Sequence, residues 1–212
     1  MSEHMALENL TVLDLTRVLA GPFCTMMLAD MGANVIKIEV PKGGDDTRSY
    51  PPFRAKNLNG ERESVYFANI NRNKKGITLN LKAPEGKEIF KELVKKADIV
   101  VENYRPGVMD KLGLGYDVLK EINPRIIYAA VSGFGCYGPY HLRPGYDILA
   151  QAMGGMMSIT GSKGGEPTRA GSALGDILGG LHVTIGILAA VNARTITGKG
   201  QRVDVSLIDR CH

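Results

Sequence analysis

The chain reads Pro-Thr-Arg-Ala-Gly-Ser-Ala-Leu-Gly-Asp at residues 167–176, continues with an apolar run over residues 177–191, and reads Ala-Arg-Thr-Ile-Thr-Gly-Lys-Gly-Gln-Arg-Val-Asp-Val-Ser at residues 193–206. The apolar run predicts a long hydrophobic helix that begins near Asp176. Gly175 precedes this acid, and a residue without a side chain leaves room for a close approach by a ligand. Residues 202–206 predict either one more strand or a continuation of the helix.

Asp176 has two interpretations, and they are compatible. The pattern alone favours a helix N-cap, because an Asp directly before an apolar run commonly accepts hydrogen bonds from backbone N–H groups. The second interpretation is a nucleophile, since the helix dipole and free N–H groups at a helix start hold a carboxylate ionised. A carboxylate nucleophile needs no partner base. A covalent acyl-transfer enzyme is therefore the leading hypothesis from this segment.

The composition is that of a globular protein and excludes several classes. The chain has 212 residues, of which 44% are hydrophobic and 23% charged, which suits one domain or most of a larger one, here taken as residues 1–212. The apolar run is short and interrupted by glycines, so we expect no membrane span, and no signal peptide is recognisable. Three scattered cysteines predict a reducing, cytoplasmic setting without disulfides, and no Cys/His spacing indicates a metal. The mild net charge of +4 favours small anionic ligands over nucleic acid.

Apolar runs typical of buried strands alternate with helical patterns along the chain. The strands are predicted over residues 10–15, 35–39, 77–81, 98–102 and 125–132, with helices over 22–31 and 84–96 and a long loop over 41–63. The apolar face of the second helix is predicted to comprise Ile89, Phe90, Leu93, Val94 and Ala97. This alternation predicts an α/β fold with an open, largely parallel, Rossmann-like sheet covered by helices on both faces. Ligands of such sheets bind at the carboxyl ends of the strands.

Two further patterns bear on the ligand. Residues 133–138 match the dinucleotide-binding pattern G-x-G-x-x-G, but Pro139 and Pro144 break the helix that should follow, so we predict a turn-forming loop. Basic residues near predicted strand ends suit phosphate groups, although a solvated face is the ordinary alternative. These residues are Arg72, Lys74, Lys75, Lys82 and Arg105.

Taken together, several ordered segments resemble the family III CoA-transferases, the group that contains formyl-CoA and carnitine CoA-transferases. The resemblance runs over essentially the whole chain. The segments that carry it are Val12-Leu-Asp-Leu, Leu19-Ala-Gly-Pro, residues 30–39 (Asp-Met-Gly-Ala-Asn-Val-Ile-Lys-Ile-Glu), Asn71-Arg-Asn-Lys-Lys-Gly, Leu79-Asn-Leu-Lys, residues 97–107 (Ala-Asp-Ile-Val-Val-Glu-Asn-Tyr-Arg-Pro-Gly), Gly145-Tyr-Asp and Gly175-Asp.

The resemblance implies a set of site residues and partners. It implies that Asp176 is the nucleophile, that acyl-CoA is a substrate with a free carboxylic acid as its acceptor, and that no prosthetic group or metal is needed. Where some family members have Arg directly after the second strand, this chain has Val40. Family members are about twice as long, with a second, smaller domain, and form interlocked homodimers. The positions implied to contact CoA are Leu19, Ala20, Leu79, Asn80, Leu81, Lys82, Asn103, Tyr104, Arg105 and Lys111.

Two other hypotheses stay open beside the transferase. The α-methylacyl-CoA racemases share the fold but use a His within Gly-His-Asp as a second acid/base, where this chain has Tyr146 between Gly145 and Asp147. A tyrosine, with a pKa near 10, is a poor base at neutral pH, which favours the transferase. The remaining hypothesis is a truncated CoA-binding domain without catalytic activity.

Overall fold

The computed structural model describes residues 4–54, 60 and 62–211. Within this part, six strands form one sheet in which every neighbouring pair is parallel, in the order β3-β2-β1-β4-β5-β6. The strands are β1 Thr11–Asp14, β2 Asn34–Glu39, β3 Lys75–Thr78, β4 Ile99–Glu102, β5 Ile127–Ser132 and β6 Arg202–Ser206. The helices are α1 Ala20–Asp30, α2 Val65–Ile70, α3 Pro84–Val94, α4 Val108–Lys111, α5 Tyr116–Ile122, α6 Asp147–Met153 and α7 Leu174–Thr197.

The two faces of the sheet bury separate apolar clusters, because successive residues of a strand point to opposite faces. On one face Val12, Ile99 and Ile127 pack with Leu28 of α1 and Ile187 of α7. On the other face, Leu13, Val100, Ala130 and neighbouring strand residues pack with Phe90 of α3 and Leu119 of α5. The predicted α/β architecture with helices on both faces is therefore confirmed.

The strand order of the sheet reverses between β1 and β4, which lie side by side. Strands β1 to β3 extend the sheet one way, and β4 to β6 extend it the other way. The loops after β1 and β4 therefore diverge to opposite faces and leave a crevice at the carboxyl ends of these strands, where doubly wound sheets bind their ligands.

The third strand was predicted wrongly. Residues 77–81 were expected to form a buried strand, but β3 spans Lys75–Thr78 and all four of its residues are exposed. Among the residues that the structure describes, it is an edge strand and pairs only with β2. The alternating apolar residues misled the prediction because Leu81 is buried after the strand ends, within the cluster around Phe90.

Two helix predictions also need correction. Helix α7 begins at Leu174 with Ala173 as its N-cap, so Asp176 lies in the first turn and is not the cap. In α3, Phe90 and Val94 are buried as predicted, whereas Ile89 is 51% exposed and lies off the apolar face. Pro84 occupies the first turn of α3, where its missing N–H costs no hydrogen bond.

The remaining elements lie near their predicted places, with shifts of a few residues at their ends. Residues 202–206 form strand β6 and do not continue α7. Residues 133–138 form a loop, with Gly135 and Gly138 at positive φ. The predicted loop over residues 41–63 contains a short 3-10 helix, Asp46–Ser49. Residues 55–59 and 61 of this loop lie outside the described part.

Helix α7 has 24 residues and an 18-residue window with a mean hydropathy of 1.8, so by length and composition it could cross a membrane. This corrects the expectation that the segment is too short. Core helices of globular proteins meet the same criterion, and α7 packs against α1, β5 and β6.

Candidate active site

A cleft of about 510 Å³ opens at the carboxyl ends of β1, β4 and β5, where the strand order of the sheet reverses. Asp176 lies in its wall. The cleft is lined by Arg17, Val18, Leu19, Ala20, Asn103, Tyr104, Arg105, Pro106, Val108, Val131, Ser132, Gly133, Arg143, Pro144, Gly145, Tyr146, Asp147, Asp176 and Leu207.

Asp147 anchors the start of the helix that carries Asp176. Its Oδ1 accepts a hydrogen bond of 2.7 Å from the Gly175 N–H, and its Oδ2 accepts one of 2.8 Å from Gln151 Nε2. Asp147 and Gln151 are both buried. The Gly175 N–H, which could otherwise face a substrate oxygen, is thus already engaged within the protein.

Burial in this wall raises the pKa of Asp176 to about 6, and the negative charge of Asp147 adds to the effect. The helix start was expected to favour the ionised form, but burial and the second carboxylate outweigh it. At pH 7 a carboxyl group with a pKa near 6 is still about nine-tenths ionised. Asp176 therefore remains available as an anion, and its basicity is higher than that of an exposed Asp.

A second cleft of about 560 Å³ adjoins the first, and Tyr104 and Val108 line both. It lies at the carboxyl ends of β2 and β3. Its other lining residues are Ile38, Glu39, Val40, Pro41, Lys42, Leu79, Asn80, Leu81, Lys82 and Leu112. The two clefts lie side by side at the carboxyl ends of the strands, and together they are called the groove.

The structure brings nine of the ten expected CoA-contacting residues to this groove. Leu19, Ala20, Asn103 and Arg105 line the first cleft, Leu79, Asn80, Leu81 and Lys82 line the second, and Tyr104 lines both. Lys111 is exposed on α4 and lines neither cleft. Residues far apart in sequence thus meet because the ends of parallel strands share one edge.

Reciprocal hydrogen bonds join the loops after β1 and β4. The Arg17 N–H donates to Asn103 Oδ1 at 3.0 Å, and Asn103 Nδ2 donates to the Arg17 carbonyl at 2.7 Å. Val18 follows with φ of 67°, an unusual conformation for a β-branched residue, and its N–H donates to Asp45 Oδ1 at 3.2 Å. Such strain at a ligand-binding cleft indicates a loop whose shape is imposed by its surroundings.

A network of buried charged side chains stabilises these loops. Asp14 Oδ2 accepts hydrogen bonds from Lys74 Nζ at 3.0 Å and from Thr25 Oγ1 at 2.7 Å, while Lys37 Nζ donates to Asp45 Oδ2 at 2.9 Å. Burial alone would raise the pKa of Asp14, but the ammonium groups of Lys74 and Lys37 outweigh it, so this pKa is lowered. Asp14 is therefore ionised at neutral pH, whereas burial lowers the pKa of Lys74.

Three of the basic residues that were expected to suit phosphates have other contacts. Lys74 is held by Asp14, and Arg72 pairs with Asp30. Lys75 donates to Asn34 Oδ1 at 2.7 Å and begins β3, so it lies at the amino ends of the strands, opposite the groove. These three residues lie at or before the start of the third strand with either boundary, so the argument from the carboxyl ends of strands did not apply to them. Lys82 and Arg105 do line the groove.

Sequence reasoning missed several residues of the groove. Lys42 lines the second cleft, and Arg17 and Arg143 line the first. Asp147 was noted only for its place in Gly145-Tyr-Asp, and Ser132 was noted only as the end of a strand. The position of Ser132 at a strand end was a usable signal, whereas the contact of Asp147 with Gly175 spans 28 residues and left none.

Within the described residues, no cluster of three or more His, Cys, Asp or Glu side chains could hold a metal ion. The three cysteines are free thiols. His182 on α7 faces its own helix, with Nδ1 at 2.7 Å from the Leu178 carbonyl oxygen.

The fold and the groove define a doubly wound α/β protein with an acidic side chain in its strand-end cleft and basic residues for an anionic ligand. The chain belongs to CoA-transferase family III, whose family model matches residues 7–212.

Characterised relatives of the chain are named as CoA-transferases. The acetyl-CoA:oxalate CoA-transferase of Acetobacter aceti is 50% identical over 95% of this chain and 51% of its own length. The succinyl-CoA:glutarate CoA-transferase of Homo sapiens is 47% identical over 98% of this chain and 46% of its own length. Among solved structures, a CAIB/BAIF family protein from Brucella suis superposes with a TM-score of 0.94 at 45% identity, covering 99% of this chain and 55% of that one. The chain thus spans about half the length of the relatives that it matches.

Proposed function

We propose that this chain acts in a CoA-transferase that moves CoA from an acyl-CoA thioester to a free carboxylic acid, with Asp176 as the nucleophile. The observation that carries the proposal is the position of Asp176, a partly buried carboxylate in a cleft that five of the expected CoA-contacting residues also line. Relatives named for oxalate, mesaconate and glutarate support a carboxylic acid as the acceptor.

The chemistry follows from an ionised carboxylate in a sheltered cleft. Asp176 attacks the thioester carbonyl, the carbon–sulfur bond breaks, and a mixed anhydride and CoA thiolate form. The thiolate attacks the Asp176 carbonyl of the anhydride, which releases the first acid and leaves an aspartyl-CoA thioester. The acceptor carboxylate attacks the carbonyl of this aspartyl thioester, the carbon–sulfur bond breaks, and a second anhydride and CoA thiolate form. The thiolate then attacks the acceptor's carbonyl in this anhydride, which gives the new acyl-CoA and restores the Asp176 carboxylate. Each thioester replaces another, so the exchange needs no ATP.

The anhydrides must be kept from water, because hydrolysis would end the cycle. Asp176 is partly buried, which limits solvent around it. The relatives are about twice as long as this chain, and we propose that the remaining half and a second protomer close the cleft in the complete assembly.

Tyr146 weighs against the racemase alternative. It lines the cleft where a racemase has the histidine of its Gly-His-Asp sequence, and its side chain is 66% exposed. An ordinary tyrosine holds its proton at neutral pH and cannot abstract an α-proton efficiently. Racemase activity would carry solvent deuterium into the substrate α-carbon without an acceptor acid, and mass spectrometry of the product would detect it.

The test of the proposal is covalent trapping. The chain is incubated with a panel of acyl-CoAs, quenched with hydroxylamine and mapped by peptide mass spectrometry. We expect a hydroxamate at Asp176, its loss in Asp176→Asn with CoA binding retained, and no effect of the control Asp117→Asn, which lies exposed on α5. CoA binding without an adduct from any donor would overturn the catalytic proposal for this chain and favour a CoA-binding domain.

A further inference from the structure

A buried hydroxyl that has no hydrogen-bond partner among the described residues lies in the same cleft as Asp176. Ser132 is the last residue of β5 and lines the cleft, and its Oγ is buried with no partner among the described residues. Buried polar groups are nearly always paired, because leaving one unpaired costs free energy. An unpaired hydroxyl in a ligand cleft therefore indicates a contact that forms when the ligand is bound.

The backbone that carries this hydroxyl is held firmly. Ser132 pairs with Ser206 of β6, and its carbonyl accepts a hydrogen bond of 2.9 Å from the Leu207 N–H. The next residue, Gly133, packs so tightly against Gly145 that a Cβ on Gly133 would lie 2.2 Å from the Gly145 Cα. Only rotation about χ1 is left to Ser132, and this rotation moves Oγ among three staggered positions around a fixed strand end.

The proposed reaction needs a donor at this place. When Asp176 attacks the thioester, the electron pair of the carbonyl π bond moves to oxygen, and fixed donors lower the energy of that oxyanion. The Gly175 N–H beside Asp176 cannot serve, because Asp147 holds it at 2.7 Å. Ser132 Oγ–H is the buried donor in the lining of the cleft that lacks a partner among the described residues.

We propose that Ser132 is a further catalytic residue, whose hydroxyl donates a hydrogen bond to the carbonyl oxygen of the acyl group under attack by Asp176. The inference rests on the proposed function. The Asp176 oxygen forms a bond to the acyl carbon, the carbon–sulfur bond breaks, and CoA leaves as the thiolate. Ser132 keeps its proton throughout and transfers no atom.

The test compares the rate of hydroxamate formation at Asp176 among four forms of the chain: unsubstituted, Ser132→Ala, Ser132→Thr and Ser206→Ala. Ser206 is the matched control, because it is the register partner of Ser132 and lines a different cavity. Loss of one oxyanion donor is expected to slow acylation on the order of 100-fold in Ser132→Ala. CoA affinity should not change, Ser132→Thr should retain most of the rate, and Ser206→Ala should stay within about twofold.

The outcomes separate the two proposals. A normal rate in Ser132→Ala would overturn the role of Ser132 and leave the proposed function intact. A slow Ser132→Thr would indicate that Ser132 acts through packing, and it would also overturn the role. If circular dichroism shows that Ser132→Ala does not fold, the rate of Ser132→Thr decides whether the role stands. This variant keeps the hydroxyl but changes the shape of the side chain. No adduct in the unsubstituted chain, with CoA bound, would overturn the proposed function and the role of Ser132 with it.

Discussion

The surroundings of Asp176 oppose its ionisation, which the proposed role as a nucleophile requires. The proposed reaction requires an ionised Asp176, yet burial and the charge of Asp147 raise its pKa to about 6. Both effects disfavour the anion, and the resulting carboxylate is a stronger base and nucleophile than an exposed one. The nucleophilic anion is lost in acid, because the Asp176 carboxyl group is protonated as the pH falls through about 6.

This balance predicts the effect of Asp147→Asn on the pH profile. Removing the negative charge should lower the pKa of Asp176 below 6, while burial should keep it above its ordinary 3.8. The acid limb of hydroxamate formation should move to lower pH by the same amount as the pKa. The measurement is the acylation rate between pH 4 and 8, taken at intervals of about half a pH unit, with Asp117→Asn as the control. An acid limb that stays near pH 6 would contradict the assigned influence of Asp147.

A second prediction concerns the buried pair of Lys74 and Asp14. The Lys74 and Asp14 side chains are 2% and 0% exposed, so Lys74→Met would leave a buried carboxylate without its cation. Loss of one partner from a buried ion pair costs about 3–5 kcal/mol in the free energy of unfolding. The control is Lys75→Met, an exposed neighbour on the edge strand, where we expect a change within about 0.5 kcal/mol. Chemical denaturation measures both, and equal losses would show that the pair contributes little.

At the scale of elements, α7 is the helix that carries Asp176, the proposed nucleophile, and glycines let this helix approach its neighbours. A Cβ on Gly180 would lie 2.7 Å from the Ala20 carbonyl oxygen of α1, and one on Gly186 would lie 2.6 Å from Val203 Cγ1 of β6. The backbone contact at Gly180 is the stricter of the two, because a carbonyl oxygen within a helix cannot rotate away.

We therefore predict that Gly180→Ala destabilises the chain. Alanine favours the helical conformation by roughly 1 kcal/mol over glycine, but forcing a methyl group into a packed contact costs about 1–3 kcal/mol. The matched control is Gly76→Ala on β3, where a Cβ would meet no atom within 4 Å, and we expect no loss of stability there. Thermal unfolding of both variants tests this, and a Gly180→Ala variant as stable as the parent would show that α1 and α7 can move apart.

The sequence predicted the order of elements well and their ends less well. Buried strands such as β4 and β5 have continuous apolar runs, which define them in any context. The exposed β3 has no such run, so its position depends on pairing with β2 and could not be read locally. The first turn of α7 was missed because Leu174 and Gly175 precede the apolar run and carry no capping side chain.

At the scale of the whole molecule, the parallel sheet gathers short segments from distant parts of the sequence at one edge. That consequence of topology was predictable, and it places nine of the ten expected CoA-contacting positions along the groove. The pairing of Asp147 with Gly175 was not predictable, and neither was the lack of a partner for the Ser132 hydroxyl within the described part of the chain. Both depend on the conformation of the loops that follow the strand ends.

Under the proposed function, the residues of the groove suggest an orientation for CoA. Asp176 must meet the thioester, so we propose that the acyl end occupies the first cleft and the phosphates occupy the second, near Lys42 and Lys82. Neither lysine forms an ion pair with a described residue, and Lys82 is exposed. A cation in contact with a phosphate contributes a charge-assisted hydrogen bond that an acyl-pantetheine, which has no phosphate, cannot use.

Lys82→Ala should therefore weaken CoA binding about tenfold, which corresponds to about 1.4 kcal/mol, and should leave acyl-pantetheine binding unchanged. The difference between the parent and the variant should shrink as salt is added, because salt screens charges at an exposed site. Lys95→Ala is the control, since Lys95 caps the end of α3, is exposed, lines neither cleft and pairs with Glu92. Isothermal titration calorimetry with CoA and with acyl-pantetheine measures both affinities. An equal loss for the two ligands would mean that Lys82 contacts the pantetheine arm, and the phosphates would then have to be placed toward Arg105 in the first cleft.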